Sequence, residues 1–365
     1  MDKELLEKMR VRDYLSKENN YAKDKDTESV LICGRHYDKN PEVTIIMPTY
    51  RRGELLIRAI NSILNQVDYD DYQLLIVDNE DIFDKETETE QIIRSFNNNK
   101  IIYYRNKVNI GMYGNWNRCM ELAKSEWVCM VHDDDVLVAN HLSVMMKVLK
   151  EHPEIDFLSC DHLYLDERKE KLDNIEERIA PIDVTGNVVK QFTYFDFCSD
   201  FDALYLGAVY KKSCAMDIGG FMPRSTLIED YIFVSKMSYY HNVYALDSKL
   251  YGYYWGQNES LNIGIWMEQS VWQYFLTKFI ANKRSIFLRG LFRKRSKYMV
   301  IDLVNRHNRG ESFLAAKCDI DLDELADYCD FGKPNYLLPA KKMNSLLVNI
   351  SDKIRNKNRK IFTLS

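Results

Sequence analysis

The sequence predicts an α/β protein: a mostly parallel sheet covered by helices on both faces, followed by a helical C-terminal region. Three observations carry this. Short apolar, β-branched runs recur along residues 43–158. Between them lie stretches whose apolar residues fall at helical spacing. The two kinds alternate at about 25–30 residues per unit, the signature of βαβ crossovers. Because the runs are continuously apolar rather than alternating, both faces of the sheet should be buried.

In order, residues 1–40 are polar and mixed in charge, with a short helix near 3–16 and then an irregular arm. Val43-Thr44-Ile45-Ile46-Met47 is the first strand, ended by Pro48. Leu55, Leu56, Ala59, Ile60, Ile63 and Leu64 then share one helix face. Leu74-Leu75-Ile76-Val77 is the second strand, stopped by Asp78-Asn79, and a charged helix follows over 86–96. Ile101-Ile102-Tyr103-Tyr104 is the third strand, 114–124 a helix, and Trp127-Val128-Cys129-Met130-Val131 the fourth strand. A helix over 139–150 leads to a fifth strand, Ile155-Asp156-Phe157-Leu158. Residues 160–262 are less regular and richer in aromatics, with a turn at Gly219-Gly220; 265–350 read as mainly helical.

Composition narrows the function. The 365 residues carry a net charge of −5, which gives no electrostatic reason to expect a nucleic-acid partner. The eight cysteines form no C-x-x-C pair, against a zinc ribbon or redox motif. The N-terminus is charged, without the apolar stretch of a signal peptide. No run of about 18 apolar residues is present to span a membrane. A reducing, cytoplasmic setting is expected. The stretch 283–297 carries seven Lys/Arg and no acid. It suits peripheral contact with anionic lipid at the inner membrane face, a partner or homo-oligomer interface, or simply a solvated basic face.

Ligands of such sheets bind beyond the carboxyl ends of the strands. The expected lining is therefore Thr49-Tyr50-Arg51, Asp78-Asn79, Asn106 to Gly111, and His132 to Asp135. Three consecutive aspartates after a buried strand, Asp133-Asp134-Asp135, repel one another, and no Lys or Arg follows nearby. A divalent cation such as Mg2+ or Mn2+ relieves that repulsion and bridges a pyrophosphate; a solvated acidic turn is the plainer reading. Glu229-Asp230 opens an apolar-periodic stretch and is either a helix cap or the seat of a general base. No G-x-S-x-G, Walker A or G-x-G-x-x-G is present.

Four segments in order, VTIIMPTYRR, LLIVDNE, NIGMYGNWNRCMELAKSEWVCMVHDDDVL and DIGGFMPRSTLIEDYIFV, resemble the family 2 glycosyltransferases of the GT-A fold over about residues 42–256. The resemblance implies a nucleotide-sugar donor, usually a UDP-sugar, and an inverting displacement at the anomeric carbon with Mn2+ or Mg2+. It implies a glycan, lipid-linked or glycoprotein acceptor in a bacterial surface-glycan pathway. It divides the chain into an arm (1–40), a catalytic domain (41–262, nucleotide-sugar half 41–137 and acceptor half 138–262) and the helical C-terminal region (263–365). By the same resemblance Pro48, Thr49, Tyr50 and Arg51 form the loop that meets base and ribose. Asp78 contacts the base, with Asn79 where relatives often carry a second aspartate. Asn109, Gly111 and Asn117 close over the donor. The family's Asp-x-Asp-Asp falls on His132-Asp133-Asp134-Asp135. Asp133 then contacts ribose or sugar, and Asp134 and Asp135 form the metal site, Asp134 as direct ligand and Asp135 in support. Gly219 and Gly220 precede the acceptor region, and Glu229-Asp230 matches the catalytic pair, with Asp230 as base. LYGYYWGQNES lacks the late histidine of many relatives; Trp255 there is an acceptor-stacking candidate beside the reading of a packed tryptophan. Two alternatives are a sugar-nucleotide-binding scaffold without catalysis, against which Asp230 speaks, and a nucleotidyltransferase, whose Gly-rich basic loop PTYRRGE does not supply.

Overall fold

The computed structural model describes residues 3–169, 174–193, 205–223, 228–256, 263–283 and 360–364. Residues 284–297 of the basic stretch and most of the C-terminal region lie outside the described residues.

The first elements are α1 (Lys3–Val11), a 3-10 turn at Asn20–Asp24 and β1 (Ser29–Cys33). The alternating units follow: β2 (Val43–Thr49), α2 (Glu54–Leu64), β3 (Tyr72–Asp78), α3 (Glu88–Ser95), β4 (Ile101–Asn106), α4 (Met112–Leu122) and β5 (Trp127–Met130). The remaining elements are β6 (Val136–Leu137), α5 (His141–Glu151), β7 (Phe157–Asp166), α6 (Ile175–Arg178), β8 (Val188–Phe192), β9 (Val209–Lys211), α7 (Lys212–Asp217), α8 (Glu229–Tyr240), β10 (Val243–Trp255), α9 (Ile263–Asn282) and β11 (Ile361–Thr363). All five expected strands and the four helices between them are present. β1 is an addition: the arm, expected to be irregular, pairs antiparallel with β4 and lengthens the sheet.

One sheet runs through the molecule in the order β1-β4-β3-β2-β5-β9-β7-β10-β8-β11, with β6 on β10. The parallel core is β4-β3-β2-β5. Beyond it the sheet is mixed: β9 enters antiparallel between β5 and β7, and β7 and β10 again run parallel. Successive residues of the buried strands point to opposite faces. Val43, Ile45 and Met47 join Leu56, Ile60 and Leu142 in one apolar cluster. Ile46, Leu75 and Val77 join Trp116, Met120, Phe233 and Trp272 in the other. Among the described residues no helix is long and apolar enough to cross a membrane, and Cys33, Cys119, Cys129, Cys160 and Cys214 are free thiols.

Because β2, β3, β4 and β5 share one direction, their carboxyl ends open on the same edge. The strand order places the loop after β2 between those after β3 and β5. That arrangement builds the site.

Candidate active site

The loop after β2 carries Pro48 and Thr49 buried at the strand end, then Tyr50, which is 43% exposed. Arg51 takes a left-handed φ of 55°, a conformation that costs a non-glycine residue about 1 kcal/mol or more and clusters at functional sites. Its Nε donates to Glu80 at 3.1 Å and its guanidinium stands 5.0 Å from the Tyr50 ring centre. The next residue, Arg52, reaches the acidic run. Its Nε donates to Asp133 Oδ1 at 3.1 Å and its Nη2 lies 3.7 Å from Asp134 Oδ2. Arg58, from α2, donates to the Asp134 carbonyl oxygen at 2.9 Å. Sequence reasoning missed both arginines. The acids do lack a cation along the chain, but the neighbouring strand's loop supplies one from residue 52. A signal existed in the β2-β5 adjacency that parallel order brings about.

Asp135 is fully buried. The Tyr251 hydroxyl donates to its Oδ2 at 2.7 Å and the Tyr254 backbone N–H to its Oδ1 at 2.8 Å. Burial and the neighbouring Asp134 charge push its carboxyl well above the usual range. The same two causes push Asp133 up to about 7, against the pull of Arg52. Burial lowers His132 to about 4, so its ring is neutral at pH 7. His132, Asp134 and Asp135 offer ligand atoms all within 4.8 Å of one another. Hard carboxylate oxygens dominate this set, which fits Mg2+ or Mn2+. Both Asp135 oxygens already accept hydrogen bonds, whereas the Asp134 side chain meets only the 3.7 Å approach of Arg52 among the described contacts.

At the end of β3, Asp78 is fully buried. It accepts from the Tyr103 hydroxyl at 2.7 Å and the Glu80 N–H at 2.8 Å. Burial pushes its carboxyl up to about 6. Asn79 spends its amide on the loop before α4: Nδ2 donates to Asn109 Oδ1 at 2.9 Å and the Gly111 carbonyl at 3.0 Å, while Oδ1 accepts from Asn106 Nδ2 at 3.0 Å. Asn109 in turn accepts the Gly111 N–H at 2.9 Å. Gly111 holds φ 77° with open space where a Cβ would be. Asn79 and Asn109 therefore shape the rim at Gly111.

Three of the expected site positions are engaged within the fold. Asn117 holds the Phe221 backbone: Nδ2 donates to its carbonyl at 2.7 Å and Oδ1 accepts its N–H at 2.9 Å, both buried. Asn117→Ala leaves both backbone groups unpaired, so it is expected to cost about 2–4 kcal/mol of stability in urea unfolding. Gly219 and Gly220 are buried. The arm and α4 crowd them: a Cβ on Gly219 would lie 2.0 Å from the Glu18 carbonyl oxygen, and one on Gly220 2.6 Å from Asn117 Oδ1 and 2.7 Å from the Tyr21 ring. Glu229 is turned to the arm. Its carboxylate is 2% exposed and holds Arg12 at 2.5 and 3.0 Å.

Asp230 differs from its neighbour. It is partly exposed in the first turn of α8, and its Oδ1 accepts its own successor's N–H, Tyr231, at 2.9 Å. No cation pairs with it among the described residues, and burial pushes its carboxyl up to about 7. Aromatic contacts link the start of its helix to the acidic run. The Tyr113 hydroxyl accepts the Glu229 N–H at 3.3 Å, Tyr113 packs edge-on to Trp116, and Trp116 lies 5.0 Å from the His132 ring. Trp255, half-buried at the end of β10, packs against Tyr164 at 5.4 Å with the Arg168 guanidinium 5.2 Å from its ring.

Residues 44–212 match the model of "Glycosyl transferase family 2". The chain is 36% identical over 107 residues to a putative colanic acid biosynthesis glycosyl transferase of Escherichia coli, covering 29% of this chain and 37% of that protein. It is 31% identical over 121 residues to a GalNAc(5)-diNAcBac-PP-undecaprenol beta-1,3-glucosyltransferase of Campylobacter jejuni, covering 33% and 38%. It is 32% identical over 132 residues to an abequosyltransferase of Salmonella typhimurium, covering 35% and 36%. The chain thus matches well under half the length of each of these three relatives. The fold resembles that of S. aureus TarS 1-349, solved with UDP-GlcNAc, at a TM-score of 0.55 and 14% identity over 87% of this chain and 92% of that one. Residues 44–212 therefore form a glycosyl transferase family 2 domain on the GT-A fold.

Proposed function

We propose that the protein is an inverting glycosyltransferase that moves a hexose from a UDP-sugar to an acceptor hydroxyl. The observation that carries this is Asp230: a carboxylate with no paired cation among the described residues, held near neutrality, on the helix that faces the acidic strand end through Tyr113 and Trp116. A base serves best when its pKa lies near the working pH.

Tyr50, Asp78 and the Gly111 rim receive the nucleoside, and Asp133 the ribose or sugar. Arg51 and Arg52 bring positive charge to the diphosphate. Asp134, supported by Asp135, would hold a divalent cation, which when bound would add positive charge at the leaving diphosphate. Asp230 takes the proton of the acceptor hydroxyl. That oxygen bonds to the anomeric carbon as the bond from carbon to the diphosphate oxygen breaks, and the nucleotide leaves with the electron pair. Trp255 offers a ring face to the acceptor. The relatives' names suggest a lipid-linked or other bacterial surface-glycan acceptor. We place the reaction on the cytoplasmic side, with the basic stretch 283–297 toward anionic lipid.

The test is a panel of UDP-, GDP- and dTDP-sugars with Mn2+, read by thermal shift and donor hydrolysis. A UDP-sugar is expected both to protect and to be hydrolysed. Protection without hydrolysis or transfer supports the non-catalytic scaffold, and release of pyrophosphate from a nucleoside triphosphate and a sugar phosphate supports a nucleotidyltransferase.

A further inference from the structure

We infer that Arg12, on the N-terminal arm and outside the family match, is a positioning residue for Asp230: its ion pair with Glu229 fixes the first turn of α8 and neutralises the charge beside the base. The inference rests on the reading of Asp230 as that base.

The geometry is specific. Both Arg12 terminal nitrogens engage both Glu229 oxygens, at 2.5 and 3.0 Å, with side chains only 12% and 2% exposed. The guanidinium lies between the rings of Tyr14 and Trp272, at 5.5 and 5.4 Å from their centres. The arm is itself anchored, with Tyr14 donating to the Met9 carbonyl at 2.8 Å, Tyr240 to the Leu15 carbonyl at 2.9 Å and the Asn20 N–H to the Gly219 carbonyl at 3.0 Å. Glu229 Oε2 also accepts the Met222 N–H at 3.3 Å, which ties down the segment before the helix.

A bidentate buried pair is held rigidly, and its net charge is zero. The ionisable groups that act on Asp230 among the described residues are few. They are Glu229 on its own helix, Tyr113 from α4, and Tyr205 from the chain before β9. Both tyrosines are buried and neutral. Lys236, two helical turns further along α8, interacts with Glu229 and Arg12, and with Asp13 and Glu18 of the arm. Glu229 is thus the acid next to the base, and Arg12 is the partner that cancels it. Without Arg12, two adjacent carboxylates would have to ionise together, and the base would hold its proton to higher pH.

The experiment is kcat against pH for the full chain and three variants. Arg12→Met is expected to move the acid limb up by about one pH unit with little change in donor KM. Glu229→Gln, which leaves the Arg12 charge unopposed, is expected to move it down. The double variant, a neutral pair of similar shape, returns it toward wild type. Opposite shifts with rescue support charge coupling. A pH-independent loss without rescue, or an unmoved limb in Glu229→Gln, overturns it. Should Arg12→Met not fold, the downward shift in Glu229→Gln still decides. If Asp230→Asn retains transfer, the base reading fails. If that variant is dead while both limbs stay put, only this inference fails.

Discussion

Asp230→Asn is expected to lower kcat by about a hundred- to ten-thousand-fold while changing UDP-sugar binding little. The substitution is nearly isosteric, and the amide oxygen still accepts the Tyr231 N–H that the carboxylate accepts at 2.9 Å, so α8 keeps its first turn. What is lost is basicity alone. Burial holds the wild-type group at about 7 because the charged form is the one that loses hydration. A base acts only when deprotonated, so the wild-type rate should rise with pH through about 7 and level off above it. In the variant that limb should vanish along with most of the rate. Steady-state transfer against pH, with donor affinity from calorimetry, separates the two effects. Transfer within tenfold of wild type would remove Asp230 from the mechanism.

The parts of this site that the sequence made legible are those set by local pattern. β2, β3, β4 and β5 are continuously apolar and bounded by polar residues, so their ends, and hence Thr49, Asp78 and the acidic run, could be placed in register along one edge. β1 was not legible, because its burial is partial at four of its five positions and exposed at the other; its sequence carries no two-faced apolar signal. β9 is three residues long and gains its identity only from β5 and β7 on either side. The missed charges share one cause: Arg52 meets Asp133 from 81 residues away and Arg12 meets Glu229 from 217 away. Periodicity reports which face a residue takes, not which distant residue faces it. The glycine pair illustrates the same limit. Its turn was visible, but Glu18, Tyr21 and Asn117, which crowd a side chain there, come from the arm and from α4. Glu229 and Asp230, adjacent carboxylates in one turn, likewise look equivalent in sequence and are told apart by partners such as Arg12 and the Met222 N–H, which engage Glu229.

Asp134→Ala is expected to erase the metal dependence of UDP binding. Within the acidic run the three carboxylates are not interchangeable. Asp135 holds Tyr251 and the Tyr254 backbone and is sealed in the core. Asp133 is engaged by Arg52 at 3.1 Å. Asp134 has the least committed side chain, and its backbone is fixed by Arg58, so it is the carboxylate with oxygens to give. Metal and nucleotide that help each other bind do so by a coupling free energy of about 1–3 kcal/mol, and the help is reciprocal. Removing the shared ligand should therefore bring the ratio of UDP affinities with and without Mn2+ to about one, and Mn2+ affinity should no longer rise with UDP. Arg52 sharpens the contrast. With Asp134 gone it keeps its bond to Asp133 and still offers charge to a diphosphate, so metal-free UDP binding should survive. Calorimetric titrations of UDP at zero and saturating Mn2+ measure the ratio directly. If Asp134→Ala keeps the wild-type ratio while the Asp133 or Asp135 variant loses it, the metal ligand is one of those residues and the register of the run shifts by one.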